Sequence, residues 1–194
     1  MSALPKQLYT VEEYIELLKN SDQRFEYFNG EIVTLSGGKV AHIRISLSVA
    51  RSLETRLEGR PCEVFSSDMA IKVPRAFPFR FADASVACSE AVFEPMKGID
   101  MLVNPLLLVE VLSSSTEAYD LGEKFTEYQS IASFREYLLV KQERPYVIHY
   151  ARHKINQWLR TDYEGLEAVV SLAALEIELP LSEIYRRVEF APKP

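Results

Sequence analysis

The sequence predicts an α/β domain in which a mixed central β-sheet is flanked by helices and an antiparallel β-meander follows in the C-terminal part. The chain has 194 residues, which suits a single domain spanning residues 1–194 with a sizeable core. Residues 106–112 are apolar except for Glu110, as expected for a strand that is buried on both faces. After residue 136 short strand-like segments follow one another, which indicates the meander.

The first third of the chain is expected to form a helix, a hairpin and a second helix. Thr10 and Glu13 make a capping box that opens a helix ending near residue 19. Asn29-Gly30 is a strong hairpin signal within residues 24–35, and Gly37-Gly38 indicates a loop. Residues 42–57 have apolar residues at helical spacing. The predicted buried stripe of this helix is Ile43, Leu47, Ala50, Leu53 and Leu57.

Several strands are expected next, around a third helix. Residues 63–65, 69–73 and 83–88 are predicted strands, and residues 74–81 are predicted to be an aromatic, proline-containing loop. After the strand at 106–112, Ser114 and Glu117 make a second capping box. The helix that it opens is predicted to bury Leu121, Phe125, Tyr128 and Ala132. The meander is predicted at 137–141, 146–150, 154–160 and 166–170, and a final helix at 180–188.

Composition excludes several classes of protein. A formal net charge of −6 argues against a dedicated high-affinity nucleic-acid binder, but a carboxylate-rich metal cleft is itself acidic. No stretch approaches the roughly 20 apolar residues that span a bilayer, and the first residues have no signal-peptide core, so no membrane partner is expected. Cys62 and Cys88 lie outside any Cys-x-x-Cys pair, which predicts neither a disulfide framework nor a zinc site, and a cytoplasmic setting.

Glu110 is the first candidate for chemistry. An isolated ionised carboxylate inside an apolar strand costs many kcal/mol, so Glu110 needs a cation, a proton or a metal as its partner. It also lies near the C-terminal end of its strand, where open α/β sheets place their ligand sites. The alternative is an edge strand on which Glu110 faces water.

Asp83 and Lys124 are the next candidates. Asp83 lies 27 residues before Glu110 and opens another predicted strand, so the two carboxylates could share one Mg²⁺ or Mn²⁺, with the Val111 carbonyl completing the site. Lys124 lies 14 residues after Glu110, in the following helix. Its ammonium could orient a water or stabilise a phosphate there, or it could form an i,i+4 surface pair with Asp120.

Taken in order, these motifs resemble the PD-(D/E)XK nuclease superfamily and, within it, the Uma-two family. The resemblance covers about residues 9–185. The segments that carry it are Glu26-Tyr-Phe-Asn-Gly30, His42 at a helix start, Asp83, Val109-Glu-Val-Leu-Ser113, Lys124-x-x-x-Tyr128 and Glu136-Tyr-Leu-Leu-Val140. It implies a restriction-endonuclease-like core with a divalent metal, Mg²⁺ or Mn²⁺, on Asp83 and Glu110.

The resemblance also implies which lysine belongs to the site, and this sequence differs from the family pattern at some positions. The superfamily pattern has a lysine two residues after the glutamate, and that position is Leu112 here. The Uma-two pattern has its lysine on the next helix instead, which Lys124 matches. Ala82 replaces the usual proline. At the end of the next strand, Leu138 and Lys141 replace a tryptophan and an acidic residue.

The activity implied by this resemblance is metal-dependent hydrolysis of DNA phosphodiester bonds. The alternative is a non-catalytic DNA-binding or interaction module on the same fold. Glu26 is a further catalytic candidate, and His42, Tyr128 and Arg80 are candidates for binding substrate. A homodimer would be an economical way to cut both strands of a duplex.

Overall fold

A six-stranded mixed sheet forms the centre of the protein. The computed structural model describes residues 7–21, 23–35 and 39–190, so the predicted Gly37-Gly38 loop lies outside the described residues. The helices are α1 (Val11–Lys19), α2 (Val40–Leu57), α3 (Glu117–Leu121), α4 (Glu123–Tyr128) and α5 (Leu181–Ile184). The strands are β1 (Arg24–Phe28), β2 (Glu31–Leu35), β3 (Cys62–Ser66), β4 (Ala70–Val73), β5 (Ala76–Phe81), β6 (Ala84–Cys88), β7 (Phe93–Met96), β8 (Ile99–Leu102), β9 (Leu107–Leu112), β10 (Glu136–Lys141), β11 (Tyr146–Lys154), β12 (Gln157–Glu164), β13 (Val169–Leu172) and β14 (Ile177–Pro180).

The strand that carries Glu110 lies inside the main sheet, whose order is β12-β11-β10-β9-β6-β3. Strand β9 pairs parallel with β10 and antiparallel with β6. All six of its residues are buried, because the face of Val109 packs against α2 and the face of Leu108 packs against α4. The edge-strand alternative is therefore wrong, and the mixed sheet flanked by helices is confirmed, as are the antiparallel C-terminal strands β10, β11 and β12.

Two N-terminal elements form as their local sequence predicts. Thr10 caps α1: its hydroxyl accepts from the Glu13 amide at 3.2 Å, and the Glu13 carboxylate accepts from the Thr10 amide at 2.7 Å. Strands β1 and β2 form a hairpin whose turn residues Asn29 and Gly30 have φ values of 47° and 97°. This left-handed pair is what an Asn-Gly turn supplies.

The predicted buried stripe of α2 is partly wrong. The helix buries Ile45, Val49, Leu53 and Leu57 against the sheet, whereas Ile43 and Leu47 are 56% and 69% exposed. The predicted and the observed stripe share Leu53 and Leu57 but begin at Ile43 and Ile45, whose side chains point about 160° apart at 100° per residue. Helical spacing alone does not say which of them meets the sheet.

The predicted loop at residues 74–81 is also wrong, because it contains strand β5. This strand lies at the edge of a second sheet with the order β5-β4-β8-β7. An edge position explains how Pro78 is tolerated, since proline cannot donate to a strand on both sides. Strands β7 and β8, joined by the Lys97-Gly98 turn with φ values of 50° and 86°, were not predicted.

The single helix predicted after Ser114 is two short helices. The helix is interrupted at Gly122, whose backbone has φ −111° and ψ −91°. Ala132 lies beyond the second helix. The Ser114 capping box does not form; instead the Ser113 and Thr116 hydroxyls bond each other at 3.0 Å. Near the C-terminus, β13 and β14 form a separate hairpin outside the main sheet, and the final helix is only α5.

Cys62 and Cys88 form a disulfide bond, although the sequence predicted no disulfide framework. The two residues are directly paired across β3 and β6, with Cα atoms 3.9 Å apart. Sequence spacing of 26 residues gives no information on this register. Within the described ranges, no helix has both the length and the apolar character needed to cross a membrane.

Candidate active site

A cleft of about 710 Å³ opens beside the first turns of α2 and the C-terminal half of β9. Its lining residues come from β1, β2, α2, β3, β5, β9, α3, α4 and the segments beside them, including Asp83 just before β6. Six of the predicted site residues line it together: Glu26, His42, Asp83, Glu110, Val111 and Lys124.

Glu110 and Lys124 form a buried ion pair at the floor of this cleft. The Lys124 ammonium lies 2.8 Å from Glu110 Oε1, and both residues are only 5% exposed. The Tyr128 hydroxyl donates to the same oxygen at 3.0 Å. Lys124 is therefore the cation that Glu110 needs, and the predicted approach of the helix lysine to the strand carboxylate is observed.

Two more carboxylates surround the same ammonium. Glu26 Oε1 lies 3.6 Å and Asp120 Oδ1 3.7 Å from Lys124 Nζ, and both side chains are buried. The alternative pair of Asp120 with Lys124 thus exists, but inside the cleft and not on the surface. Asp120 was not predicted as a site residue, although its i,i+4 spacing to Lys124 was the signal for it.

Asp83 faces the cleft from the start of β6. One carboxylate oxygen lies 3.0 Å from His42 Nε2, and the other accepts from the Val111 amide at 2.7 Å. The Asp83 amide in turn donates to the Val109 carbonyl at 2.9 Å. These two hydrogen bonds to Val111 and Val109 hold Asp83 against β9, the strand that carries Glu110.

The cluster carries more negative than positive charge. Burial raises the pKa of Glu110 well above its usual value, and the nearby Asp120 and Asp83 charges add to this effect. Burial likewise raises the pKa of Asp120. Burial disfavours the Lys124 ammonium, but Glu110, Glu26 and Asp120 outweigh it and raise the lysine pKa well above its usual value. Lys124 therefore stays charged, and an additional cation or proton stabilises the cluster.

The metal-free protein is expected to be more stable near about pH 5.5 than near about pH 8. A carboxyl whose pKa is raised by folding binds its proton more tightly in the native state, so stability is lost as the pH rises from the unfolded pKa through the folded pKa. The pKa of Lys124 is raised well above its usual value by the surrounding carboxylates, so the lysine is charged at both pH values and contributes the same stability at each. Thermal melts in EDTA measure this difference, and Glu110→Gln should reduce it while leaving stability at about pH 8 equal or higher. A large loss of melting temperature in Glu110→Gln at about pH 8 would contradict this reading.

The donor set fits a hard divalent cation held by few protein ligands. No group of three or more His, Cys, Asp or Glu side chains in the described part of the chain is arranged to hold a metal ion. Mg²⁺ does not need such a group, because it commonly uses one or two carboxylates and completes its shell with waters and substrate phosphates. Asp83 and Glu110 are the two carboxylates predicted to supply such ligands. The Val111 amide is used by Asp83, and its carbonyl remains a predicted ligand.

Two of the predicted substrate-binding residues are enclosed in the protein. Arg80 is 4% exposed and pairs with both Glu127 oxygens at 2.7 and 2.8 Å, while its other donors contact the Tyr27 carbonyl and the Tyr119 hydroxyl. Its guanidinium supports the cleft wall and is not free for phosphate, which corrects the prediction. Tyr128 is fully buried and acts on Glu110, not on a ligand in solvent.

Comparison with known proteins identifies the family of this chain. Residues 11–182 match the family model of Uma2, described as “Putative restriction endonuclease”. The chain belongs to the Uma2 family. Two relatives, both named as uncharacterized proteins of Synechocystis sp., are 31% and 29% identical to it. The first alignment covers 92% of each chain, and the second covers 88% of this chain and 96% of the relative.

A solved structure has the same fold as this Uma2 protein. It is a crystal structure of a “putative nuclease” from Anabaena variabilis, which superposes with a TM-score of 0.71. The superposition covers 91% of this chain and 97% of that chain at 14% sequence identity. The fold is thus shared although most of the side chains differ.

Proposed function

We propose that this Uma2 protein is a Mg²⁺- or Mn²⁺-dependent endonuclease that hydrolyses DNA phosphodiester bonds. The observation that supports this proposal best is the buried Glu110–Lys124 pair, 2.8 Å apart, beside Asp83 on the neighbouring strand of an open cleft. An ion pair that only stabilised the fold would require neither an open cleft nor two further carboxylates around the lysine. Membership of a family described as a restriction endonuclease points to the same activity.

In this proposal each of the cleft residues has a separate role in the reaction. Held by Asp83 and Glu110, a divalent cation would lower the pKa of a bound water and neutralise charge on the phosphate. Lys124, fixed by Glu110, Glu26 and Asp120, would donate from its ammonium to the attacked phosphate or to the attacking water. Glu26 thus acts by placing the lysine.

His42 has a place in the same scheme. It lies in the first turn of α2, is partly exposed to the cleft, and contacts Asp83 Oδ1 through Nε2. From there its ring could release Asp83 for the metal and donate to a phosphate oxygen. His42 is therefore a substrate-binding residue in this proposal.

The second candidate function is a DNA-binding or interaction module without turnover. The observation that favours it is Lys141, which stands where the family resemblance has an acidic residue and pairs with Glu117 at 2.7 Å. The net charge of −6 argues against a dedicated high-affinity nucleic-acid binder and so favours the interaction module over the DNA-binding module. A cytoplasmic location and a homodimer that cuts both strands belong to the proposal as predictions.

Nicking of supercoiled plasmid by the purified protein tests the proposal. We expect Mg²⁺- or Mn²⁺-dependent conversion to open-circle and linear DNA, no conversion in EDTA, and loss of conversion in Asp83→Asn. Asp100→Asn, which makes the same change at an exposed position of β8, serves as the control and should cleave normally. A folded wild-type protein that never nicks DNA with either metal would favour the module without turnover.

A further inference from the structure

A second cavity, of about 670 Å³, lies between α2 and the chain around α5 and is strongly basic. Its lining includes five arginines, namely Arg44, Arg51, Arg56, Arg186 and Arg187. Among the described residues, Glu183 is the only acidic residue that lines it, and Arg56 already occupies both of its oxygens at 2.7 and 2.8 Å. In a chain with a net charge of −6, such a concentration of uncompensated positive charge marks a site for an anion.

The arginines differ in how they are used by the fold. Arg44 donates to the carbonyl of Arg187 at 2.6 Å and so fixes the chain after α5 against α2. Arg51 is exposed and makes no hydrogen bond or ion pair with any residue that the structure describes, and Arg186 is likewise exposed. The hydroxyls of Ser48 and Thr55 line the same groove. Arginine and hydroxyl side chains are the usual donors to nucleic-acid phosphates.

The basic groove adjoins the cleft across α2. Leu47 lines both cavities, and α2 carries His42 at one end and Arg51 nine residues further along. At a rise of 1.5 Å per residue this separation is about 14 Å along the helix. Successive phosphates of one strand advance about 3.4 Å along a DNA axis, so this axial separation corresponds to about four nucleotides. Nine residues also turn the helix by about 180°, so Arg51 faces the other side of α2 from His42 and DNA that contacts both passes over this helix.

We propose that the groove between α2 and the chain around α5 binds the phosphate backbone of duplex DNA next to the cleft. This inference rests on the proposed function for the identity of the anion. Binding there is sequence-independent, because the lining offers charge and hydroxyls and not a set of groups that match base edges. The groove would hold the strand in register while the cleft acts on it.

DNA affinity and its salt dependence test the groove. Arg51→Glu/Arg186→Glu should weaken binding of a fluorescent 30-base-pair duplex in EDTA by more than about 50-fold near 0.1 M salt, since each lost contact costs about tenfold there. The milder Arg51→Gln/Arg186→Gln should reduce the slope of log K against log salt by about 2. Arg75→Glu/Lys154→Glu, which makes the same charge change at exposed positions elsewhere, is the matched control and should not share either effect.

The outcomes separate this proposal from the proposed function. Weakened DNA binding in the groove variants supports the proposal that the groove binds phosphates, even if the wild-type protein never cleaves DNA. Unchanged affinity and salt slope, equal effects in the control variant, or no wild-type binding would overturn it even if cleavage is observed. A change in oligomeric state by sedimentation without any change in DNA affinity would also overturn it, and would make the groove an interface between copies.

Discussion

Lys124→Met is expected to abolish DNA cleavage, with a rate loss of roughly 10²–10³-fold or more, the range seen when one stabilising donor is removed from an active site. Methionine keeps the apolar stem of the side chain and removes the charge. The ammonium lies 2.8 Å from Glu110 and within 3.7 Å of Glu26 and Asp120, so no other lysine or arginine forms an ion pair at the cleft floor in the described ranges. The measurement is the initial rate of plasmid nicking at saturating metal.

The control for this variant separates lost chemistry from lost folding. Lys97→Met also breaks a lysine–carboxylate pair, with Glu12, but at an exposed position, and should nick plasmid at the wild-type rate. Circular dichroism must show that Lys124→Met is folded at the assay temperature. A folded Lys124→Met protein that retains full activity would remove the lysine from the mechanism.

Arg80→Met is expected to destabilise the protein by about 3–5 kcal/mol, the cost of leaving one partner of a buried pair uncompensated. The guanidinium is 4% exposed, binds both oxygens of Glu127, and stacks 4.7 Å from the centre of the Phe28 ring. It therefore ties β1 and α4, which carry Glu26 and Lys124, to β5. Urea unfolding measures the loss.

An exposed pair provides the comparison for Arg80. Arg144 pairs with Glu164 at 2.8 Å on the surface, so Arg144→Met should cost at most about 1 kcal/mol. Changing both partners, as in Arg80→Met/Glu127→Gln, should recover part of the loss because no charge is left without a partner. A loss below about 1 kcal/mol for Arg80→Met would show that the pair contributes little to the fold.

The sheet and the acidic centre could be predicted because each rests on strong local chemistry. A seven-residue run that is apolar except for Glu110 favours a buried strand, and a carboxylate inside such a strand must have a partner. The identity of that partner was harder to predict. Spacing alone slightly favoured a surface pair of Lys124 with Asp120, and the family resemblance was needed to place the lysine inside the cleft.

The wrong predictions share a physical cause, which is that tertiary packing chose between local options. Both apolar stripes of α2 have helical spacing, and only contact with the sheet selects the one containing Ile45. Arg80 was predicted to bind substrate because its partner Glu127, 47 residues away in the chain, could not be recognised from the sequence. Pro78 suggested a loop, but the edge of a second sheet accommodates it in β5. In each case a distant partner decided the outcome.

The most direct test of the account is to count the divalent cations that the protein binds at the acidic cluster. Mn²⁺ titration followed by electron paramagnetic resonance of the free ion should give one strong site per chain in the wild-type protein. Asp83→Asn and Glu110→Gln should each remove that site, and Asp100→Asn should keep it. Retention of the same Mn²⁺ site in both cleft variants, or no site in the wild-type protein with and without DNA, would contradict a metal centre on Asp83 and Glu110.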